Sequence, residues 1–285
     1  MANLKEIRTR ISSVTSTRQI TSAMKMVAAA KLRKSQETIT QLRPYSEKLT
    51  EVLRAISDTL VQDEENLFVK KRSVQKALLV VVTSNKGLCG NFNSTIIKQT
   101  TALAQTKYRD LQMNQSLDLL IIGKKAYDHF KKRDFTIYKS DNEIIDHVNY
   151  EGTSKLAEEI IHLFLSGTYD HIDIVYNQFI NPAVQKLRVE QYLPMVVEKP
   201  EEEAVPSTFV DYIFEPSKKY IVEELIPKSL RLQFHKALLD SSASEHGARM
   251  TAMHKATDNA TELLKELRLD YNKARQASIT NEILE

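Results

Sequence analysis

The sequence predicts two long terminal helices that pack together as an antiparallel coiled coil, with a Rossmann-like α/β domain inserted between them. Residues 3–60 lack glycine and repeat apolar side chains at about 3.5 to 3.6 residues, the period of a helix. Residues 74–196 contain continuous apolar runs that read as buried strands. The last 40 or so residues repeat a heptad pattern. These observations divide the chain into an opening helix at 1–60, an α/β domain at 74–196 and a closing helix at 210–285.

The opening segment has the pattern of an amphipathic helix. Leu4, Ile7, Ile11 and Val14 follow one another at spacings of 3, 4 and 3, and the pattern continues to Leu60. Residues 1–35 contain eight Lys or Arg and one acidic residue, which is also typical of an organellar transit peptide. Because the periodicity continues far beyond a cleavage site, we favour a mature helix. Pro44 should kink or interrupt it, since proline lacks the amide donor.

The central segment predicts a small α/β domain. Lys76–Thr83 and Leu117–Gly123 read as strands buried on both faces, and Ser94–Leu111 reads as the helix between them. Such a βαβ unit implies a parallel sheet. A short turn then joins Ile172–Phe179 to Lys186–Tyr192, which forces those two strands to be antiparallel.

The closing helix carries the most regular pattern in the chain. An acidic, proline-bounded loop at 198–206 precedes it, and Pro227 is expected near a helix start. Ten positions alternate spacings of 4 and 3 without a slip, which predicts a coiled-coil seam: His246, Met250, Met253, Thr257, Ala260, Leu264, Leu267, Tyr271, Ala274 and Ser278. Several neighbouring positions are alanine, so the rod should be thin and only marginally stable unless something surrounds it.

No catalytic, cofactor or metal site is predicted. The loop at 83–93 follows a strand and precedes a helix, but its Gly-Leu-Cys-Gly completes neither a dinucleotide nor a triphosphate fingerprint, which favours a structural turn. Cys89 is expected to be a buried, inert thiol, and His246 and His254 to lie on the surface or in the seam. The longest apolar run has six residues, so no segment should cross a membrane.

Charge differs between the two terminal helices. Residues 1–60 carry 11 basic and 5 acidic side chains, whereas residues 241–285 carry 6 and 7. This basic excess fits a solvated face, an acidic protein partner or a polyanion. The net charge of +3 is too small to indicate nucleic acid by itself.

Three groups of motifs resemble the gamma subunit of the F-type ATP synthase. The opening helix matches at 7–14 and 20–31, the central loop at Gly87-Leu88-Cys89-Gly90, and the closing helix at 243–250, 256–260 and 271–280. They cover about a third of the chain in the order that the family has. The resemblance implies a non-catalytic central rotor stalk whose coiled coil stands inside a ring of alpha and beta subunits. It also implies that the α/β domain meets the epsilon subunit and the membrane c-subunit ring.

The resemblance further implies seven partner-binding positions. On the closing helix, Arg275, Gln276 and Thr280 would meet the inner loops of the catalytic subunits. On the opening helix, Met24 and Lys25 would lie near the acidic lever of the beta subunit. In the central domain, Lys86 and Lys98 would face the same acidic segment. Many relatives have Asp-Arg where this chain has Asn85-Lys86. Lysine supplies the charge but not the bidentate fork of arginine.

Two other classes of function stay open at this point. A nucleotide-binding α/β enzyme with helical extensions would use the loop at 83–93, and a basic coiled-coil module would bind nucleic acid with a steep salt dependence. The gamma-subunit resemblance implies neither a nucleic-acid partner nor direct membrane insertion. It favours a peripheral protein on the cytoplasmic face of the bacterial inner membrane.

Overall fold

The computed structural model describes residues 4–55, 67–70, 72–195 and 218–284. Helix α1 spans Leu4–Ala55, and the last helix, α6, spans Lys218–Leu284. A five-stranded α/β sheet domain lies between them in the chain, which confirms the predicted fold class. The acidic loop predicted at 198–206 lies outside the described residues.

Two prolines lie inside the long helices. Pro44 does not interrupt α1, which continues to Ala55. Pro227 was expected near a helix start, but α6 is already helical from Lys218. A proline inside a helix costs about 3 kcal/mol. Helix α6 continues through Pro227 because the neighbouring side chains of Ile226 and Leu230 are fully buried against the sheet domain.

The two long helices run antiparallel. Thr257 Oγ1 donates to Thr21 Oγ1 at 2.9 Å, and Lys25 Nζ lies 3.3 Å from His254 Nδ1. Farther along α1, Arg43 lies near Asp240. Residue numbers thus rise along one helix as they fall along the other.

The sheet has the strand order β3-β2-β1-β4-β5. The first four of these strands in space are parallel, and β5 pairs antiparallel with β4. The strands are β1 (Ala77–Val82), β2 (Leu117–Ile122), β3 (Thr136–Asp141), β4 (His171–Asn181) and β5 (Val184–Leu193). Every residue of β1 and β2 is buried, as their continuous apolar runs predicted.

Helices cover both faces of the sheet. They are α2 (Phe92–Gln105), α3 (Arg109–Met113), α4 (Lys124–Phe130) and α5 (Tyr150–Leu165). Side chains of α2 and α4 join one core, and side chains of α5 and the base of α6 join the core on the opposite face. The closing helix is therefore both part of the globular domain and half of the rod.

The predicted helix at Ser94–Leu111 is two helices, α2 and α3. The break falls at Tyr108, whose buried hydroxyl donates to Asp173 Oδ2 at 2.6 Å. Lys107 Nζ lies 2.7 Å from the same oxygen. Desolvation opposes the charge of Asp173, but these donors and His171 outweigh it and lower the pKa of the carboxyl. This contact is distant in sequence, so helical periodicity did not reveal it.

Candidate functional site

The rod is held together by the predicted seam. Met253, Ala260, Leu264 and Leu267 are buried, and the remaining six seam positions of α6 are half-buried. On α1 the buried or half-buried positions recur at the same spacings of 3 and 4, among them Leu4, Ile7, Ile11, Val14, Arg18 and Thr21. The heptad prediction is therefore confirmed.

Large apolar side chains also lie on the outside of the rod. Ile20, Met26 and Val27 of α1 are 60%, 65% and 59% exposed. Leu269, Ile283 and Leu284 of α6 are 61%, 77% and 79% exposed. Apolar side chains gathered on a thin rod are typical of a surface that another protein covers.

Met24 and Lys25 lie on α1 at the edge of the seam, and both are half-buried. Lys25 Nζ lies 3.3 Å from His254 Nδ1, and Asp258 Oδ2 lies 3.4 Å from the same nitrogen. One imidazole nitrogen can either accept from Lys25 or donate to Asp258, so the tautomer of the His254 ring decides which contact forms.

Arg275, Gln276 and Thr280 lie on the tip of α6, and all three are exposed. The register given by Thr21 and Thr257 places Leu4 opposite Ala274. These three residues therefore lie at and beyond the level of the first described residue of α1. Apart from a bond from Thr280 Oγ1 to the Gln276 carbonyl, the structure shows no polar partner for their side chains among the described residues.

Lys86 and Lys98 are exposed on the globular domain, one in the loop after β1 and the other on α2. The structure therefore spreads the seven predicted positions over three places, namely the base of the rod, its tip and the domain. Lys25 contacts His254, which lies five residues beyond Arg249. Arg249 binds the carbonyl of Lys86, so the base of the rod lies near the loop after β1. The tip lies about 30 Å farther along α6. Whether the seven positions contact partners stays a prediction.

The loop at 83–93 is closed by its own hydrogen bonds. Ser84 Oγ donates to the Lys86 carbonyl at 2.6 Å, and Asn93 Oδ1 accepts from the Ser84 amide at 2.9 Å. Gly90 has a φ of +60°, a conformation suited to glycine. Burial raises the pKa of the Cys89 thiol, which keeps it protonated. The geometry is that of a structural turn.

Arg249 joins the rod to this loop, a role that the sequence reasoning missed. Its Nη1 donates to Glu245 Oε1 at 2.5 Å, and its Nη2 donates to the carbonyls of Lys86 and Gly87 at 3.1 and 3.3 Å. Both side chains of the ion pair are only 11% exposed. The spacing of four residues between Glu245 and Arg249 is a helical pair signal that could have indicated the first contact.

The turn between β4 and β5 forms a second joint. Thr251 Oγ1 donates to the Pro182 carbonyl at 3.0 Å, and Ser244 Oγ donates to the Asn177 carbonyl at 2.9 Å. A Cβ added at Gly247 would lie 3.1 Å from Pro182 Cα, so a larger residue there would require the hairpin to shift by a few tenths of an ångström. The rod is therefore fixed to the sheet along one face of α6.

The described residues show neither a metal site nor a membrane-spanning helix. They contain no group of three His, Cys, Asp or Glu side chains that could hold a metal ion. None of the described helices is long and apolar enough to cross a membrane.

Comparison with known proteins identifies the family. The family model described as ATP synthase matches residues 3–285. The ATP synthase gamma chain of Christiangramia forsetii is 55% identical over 285 residues, which cover all of this chain and 96% of that protein. The chain belongs to the ATP synthase gamma chain family. The gamma chain of Flavobacterium johnsoniae is 54% identical over the same coverage.

Solved structures share the fold of this gamma-family chain. A chain of the mitochondrial ATP synthase rotor of Euglena gracilis aligns with a TM-score of 0.69 at 22% identity, over 97% of this chain and 98% of that one. A chain in the OSCP/F1/c-ring assembly of the same organism aligns with a TM-score of 0.68 at 22% identity, over 99% and 91%.

Proposed function

We propose that this chain is the central shaft of an F-type ATP synthase. In this role it has no active site of its own and couples rotation of a membrane ring to ATP synthesis or hydrolysis in a ring of alpha and beta subunits. Membership of the gamma family supports the role. The observation that carries it is the rod itself, a thin two-helix stalk with apolar side chains on its outer surface.

The dimensions of the rod suit a shaft inside a ring. From Thr251, which is hydrogen-bonded to the β4–β5 turn, to Leu284 the helix extends for about 50 Å at 1.5 Å per residue. Such a rod buries little of its own apolar surface. A surrounding ring would cover Ile20, Met26 and Val27 and so supply the missing burial.

Asymmetry gives the shaft its effect on catalysis. A single rod inside a threefold ring presents a different face to each catalytic site. Shifting one site from 1:99 to 99:1 between open and closed states takes about 5.5 kcal/mol of differential contact. Since coupling free energies are reciprocal, hydrolysis in the ring must also be able to turn the shaft.

The joints at Arg249 and Gly247 would transmit torque. They fix the rod to the sheet domain, so that a force on the domain turns the rod together with it. We further propose that the domain meets the epsilon subunit and the membrane c-subunit ring. The chain would then be peripheral to the cytoplasmic face of a bacterial inner membrane, as its similarity to bacterial gamma chains supports.

Native mass spectrometry of the chain co-expressed with its cognate alpha and beta subunits tests this role. We expect one copy for each six-subunit ring and no ATPase activity from the chain alone. Replacing Ile20, Met26 and Val27 together by Ser should weaken this association, whereas Met113→Ser, a 73% exposed position on the globular domain, should not. A wild-type chain that does not join the ring would refute the proposal.

A further inference from the structure

A cleft of about 460 Å³ lies where the two long helices meet the end of the β4–β5 hairpin. Its walls include the apolar side chains of Ile39 and Leu42 from α1 and Phe179 from β4. Asp240 of α6 also lines the cleft. None of the seven positions that the family resemblance singled out lies in it.

Asp240 is the unusual member of the cleft. It is 5% exposed, yet its carboxylate forms no hydrogen bond or ion pair with any residue that the structure describes. A buried carboxylate normally has a partner, since leaving a buried charge unpaired is costly. Because the carboxylate lines an open cleft, its donor comes either from water or from a ligand that enters the cleft.

Charges around the cleft do not replace that donor. Lys236 and Arg43 act on Asp240 through space, but neither forms an ion pair with it, and Glu190 opposes them. Burial outweighs both cations and raises the pKa of Asp240 to about 6. At neutral pH the group is therefore mostly ionised, and its charge is incompletely compensated.

The chemistry of the cleft selects among ligands. Asp240 is the buried charge of the cleft, so an anion beside it is disfavoured. The described residues offer no group of three ligands for a metal ion. An apolar ligand would leave the carboxylate unpaired. A cation on an apolar stem suits both the carboxylate and the walls formed by Ile39, Leu42 and Phe179, because lysine and arginine pack their methylene stems on apolar surface.

We propose that this cleft receives a lysine or arginine side chain from a neighbouring subunit of the assembled complex, with the cationic group at Asp240. This proposal rests on the proposed function, which places the chain among other subunits. The open side of the cleft carries both signs of charge, Arg43 and Lys236 against Glu47, as the rims of protein interfaces do. A free ammonium ion would gain little from one carboxylate. A partner's backbone adds contacts that hold its side chain in place.

The test measures assembly and stability separately. Full-length Asp240→Asn is compared with wild type for its dissociation constant from the purified remainder of the complex. We expect about tenfold weaker association, whereas the isolated variant should melt at the same or a higher temperature because it loses an uncompensated charge. A merely structural Asp240 would shift both quantities in the same direction. Glu224→Gln, an exposed acid of α6 that pairs with Lys228, is the matched control and should change neither.

A second variant leaves Asp240 in place. Thr40 is exposed at the opening of the cleft, so Thr40→Trp should block entry without disturbing the core, and it should weaken association to a similar degree. Association of Asp240→Asn within twofold of wild type would overturn the proposal. It would also be overturned if n-butylammonium chloride bound the isolated chain through Asp240 while the variant assembled normally, since that assigns the cleft to a free amine. A wild-type chain that fails to assemble at all instead refutes the proposed function.

Discussion

The two halves of α6 bury their side chains in different ways. From Ala237 to Glu245 every residue is buried, because α1, α5 and the sheet surround the helix at its base. Beyond Met250 the buried residues among those described all lie in the seam with α1, namely Met253, Ala260, Leu264 and Leu267. One continuous helix is thus a core element at one end and an exposed shaft at the other. The base has the packing to hold torque, whereas the tip depends on its surroundings.

The largest loss of stability is expected from a Leu→Ala substitution, made once in the base of α6 and once in its tip for comparison. Leu238 is fully buried in the core beneath the sheet, so Leu238→Ala should cost about 3 to 4 kcal/mol of unfolding free energy. Leu264 is 3% exposed in the tip seam, where two helices can close on a cavity, and Leu264→Ala should cost about 1 to 2 kcal/mol.

Urea unfolding measures the loss at Leu238, and hydrogen exchange measures the loss at Leu264. We expect faster exchange after Leu264→Ala to be confined to the tip, since the rod can open locally without unfolding the domain. Equal losses of global stability in the two variants would contradict the contrast between base and tip.

The sequence predicted the tip better than the base for a physical reason. The seam depends on spacings of 3 and 4 within one helix, so Met253, Ala260 and Leu264 could be assigned from local pattern alone. The buried strands β1 and β2 were predicted for a similar reason. Their apolar runs are continuous, as in strands covered on both faces.

Contacts at the base join distant parts of the chain. Arg249 reaches the carbonyl of Lys86, and Asp240 lies near Arg43, but no local period connects such pairs. Helix α5 was missed although it carries a local signal, since the Asn149 side chain accepts a hydrogen bond from the Gly152 amide as an N-cap. The seven family-derived positions could be placed by resemblance, but their partners are not in this chain.

Asp240 and His246 at the base should give stability two opposite dependences on pH. Burial raises the pKa of Asp240 from 3.8 to about 6, so the folded chain binds this proton more tightly and stability falls as pH rises from 4 to 6. Burial, Arg249 and Lys31 lower the pKa of His246 from 6.5 to about 4. The unfolded chain then binds that proton more tightly, and stability falls as pH drops from 6.5 to 4.

Each effect amounts to about 3 kcal/mol, and in the wild type the two nearly cancel between pH 4 and 6. Asp240→Asn should therefore gain stability steadily as the pH is raised over this range, whereas His246→Gln should lose it. Urea unfolding at half-unit steps of pH measures both slopes. If each variant keeps the wild-type slope, these two groups do not control the pH response of the base.

The joint between rod and loop should have a smaller effect. Arg249→Ala leaves Glu245, which is 8% exposed, without its cation, and it also removes the donors to the loop carbonyls. We expect a loss of about 2 kcal/mol, which Arg249→Lys should partly restore. Arg33→Ala removes an exposed pair with Glu37 of similar geometry and should cost less than about 0.5 kcal/mol. If Arg249→Ala and Arg33→Ala lost a similar free energy of unfolding, burial of the Arg249 pair would not contribute to stability.

The smallest effect should come from the exposed or half-buried lysines that the family resemblance places against the catalytic ring. Exposed ion pairs contribute about 0 to 1 kcal/mol each, well short of the roughly 5.5 kcal/mol needed to switch a catalytic site. Replacing Lys25, Lys86 and Lys98 together by Ala should therefore leave coupled ATP synthesis largely intact when the reconstituted complex is driven by a proton gradient.

If shape and stiffness carry the coupling, Leu238→Ala at the base should lower the yield of ATP per proton more than the loss of these three charges does. The same reconstituted vesicles measure both variants, with Met113→Ser as the exposed control. Loss of nearly all synthesis in the triple lysine variant would reverse this order. It would make electrostatic contact, and not the packing that distinguishes base from tip, the main carrier of torque.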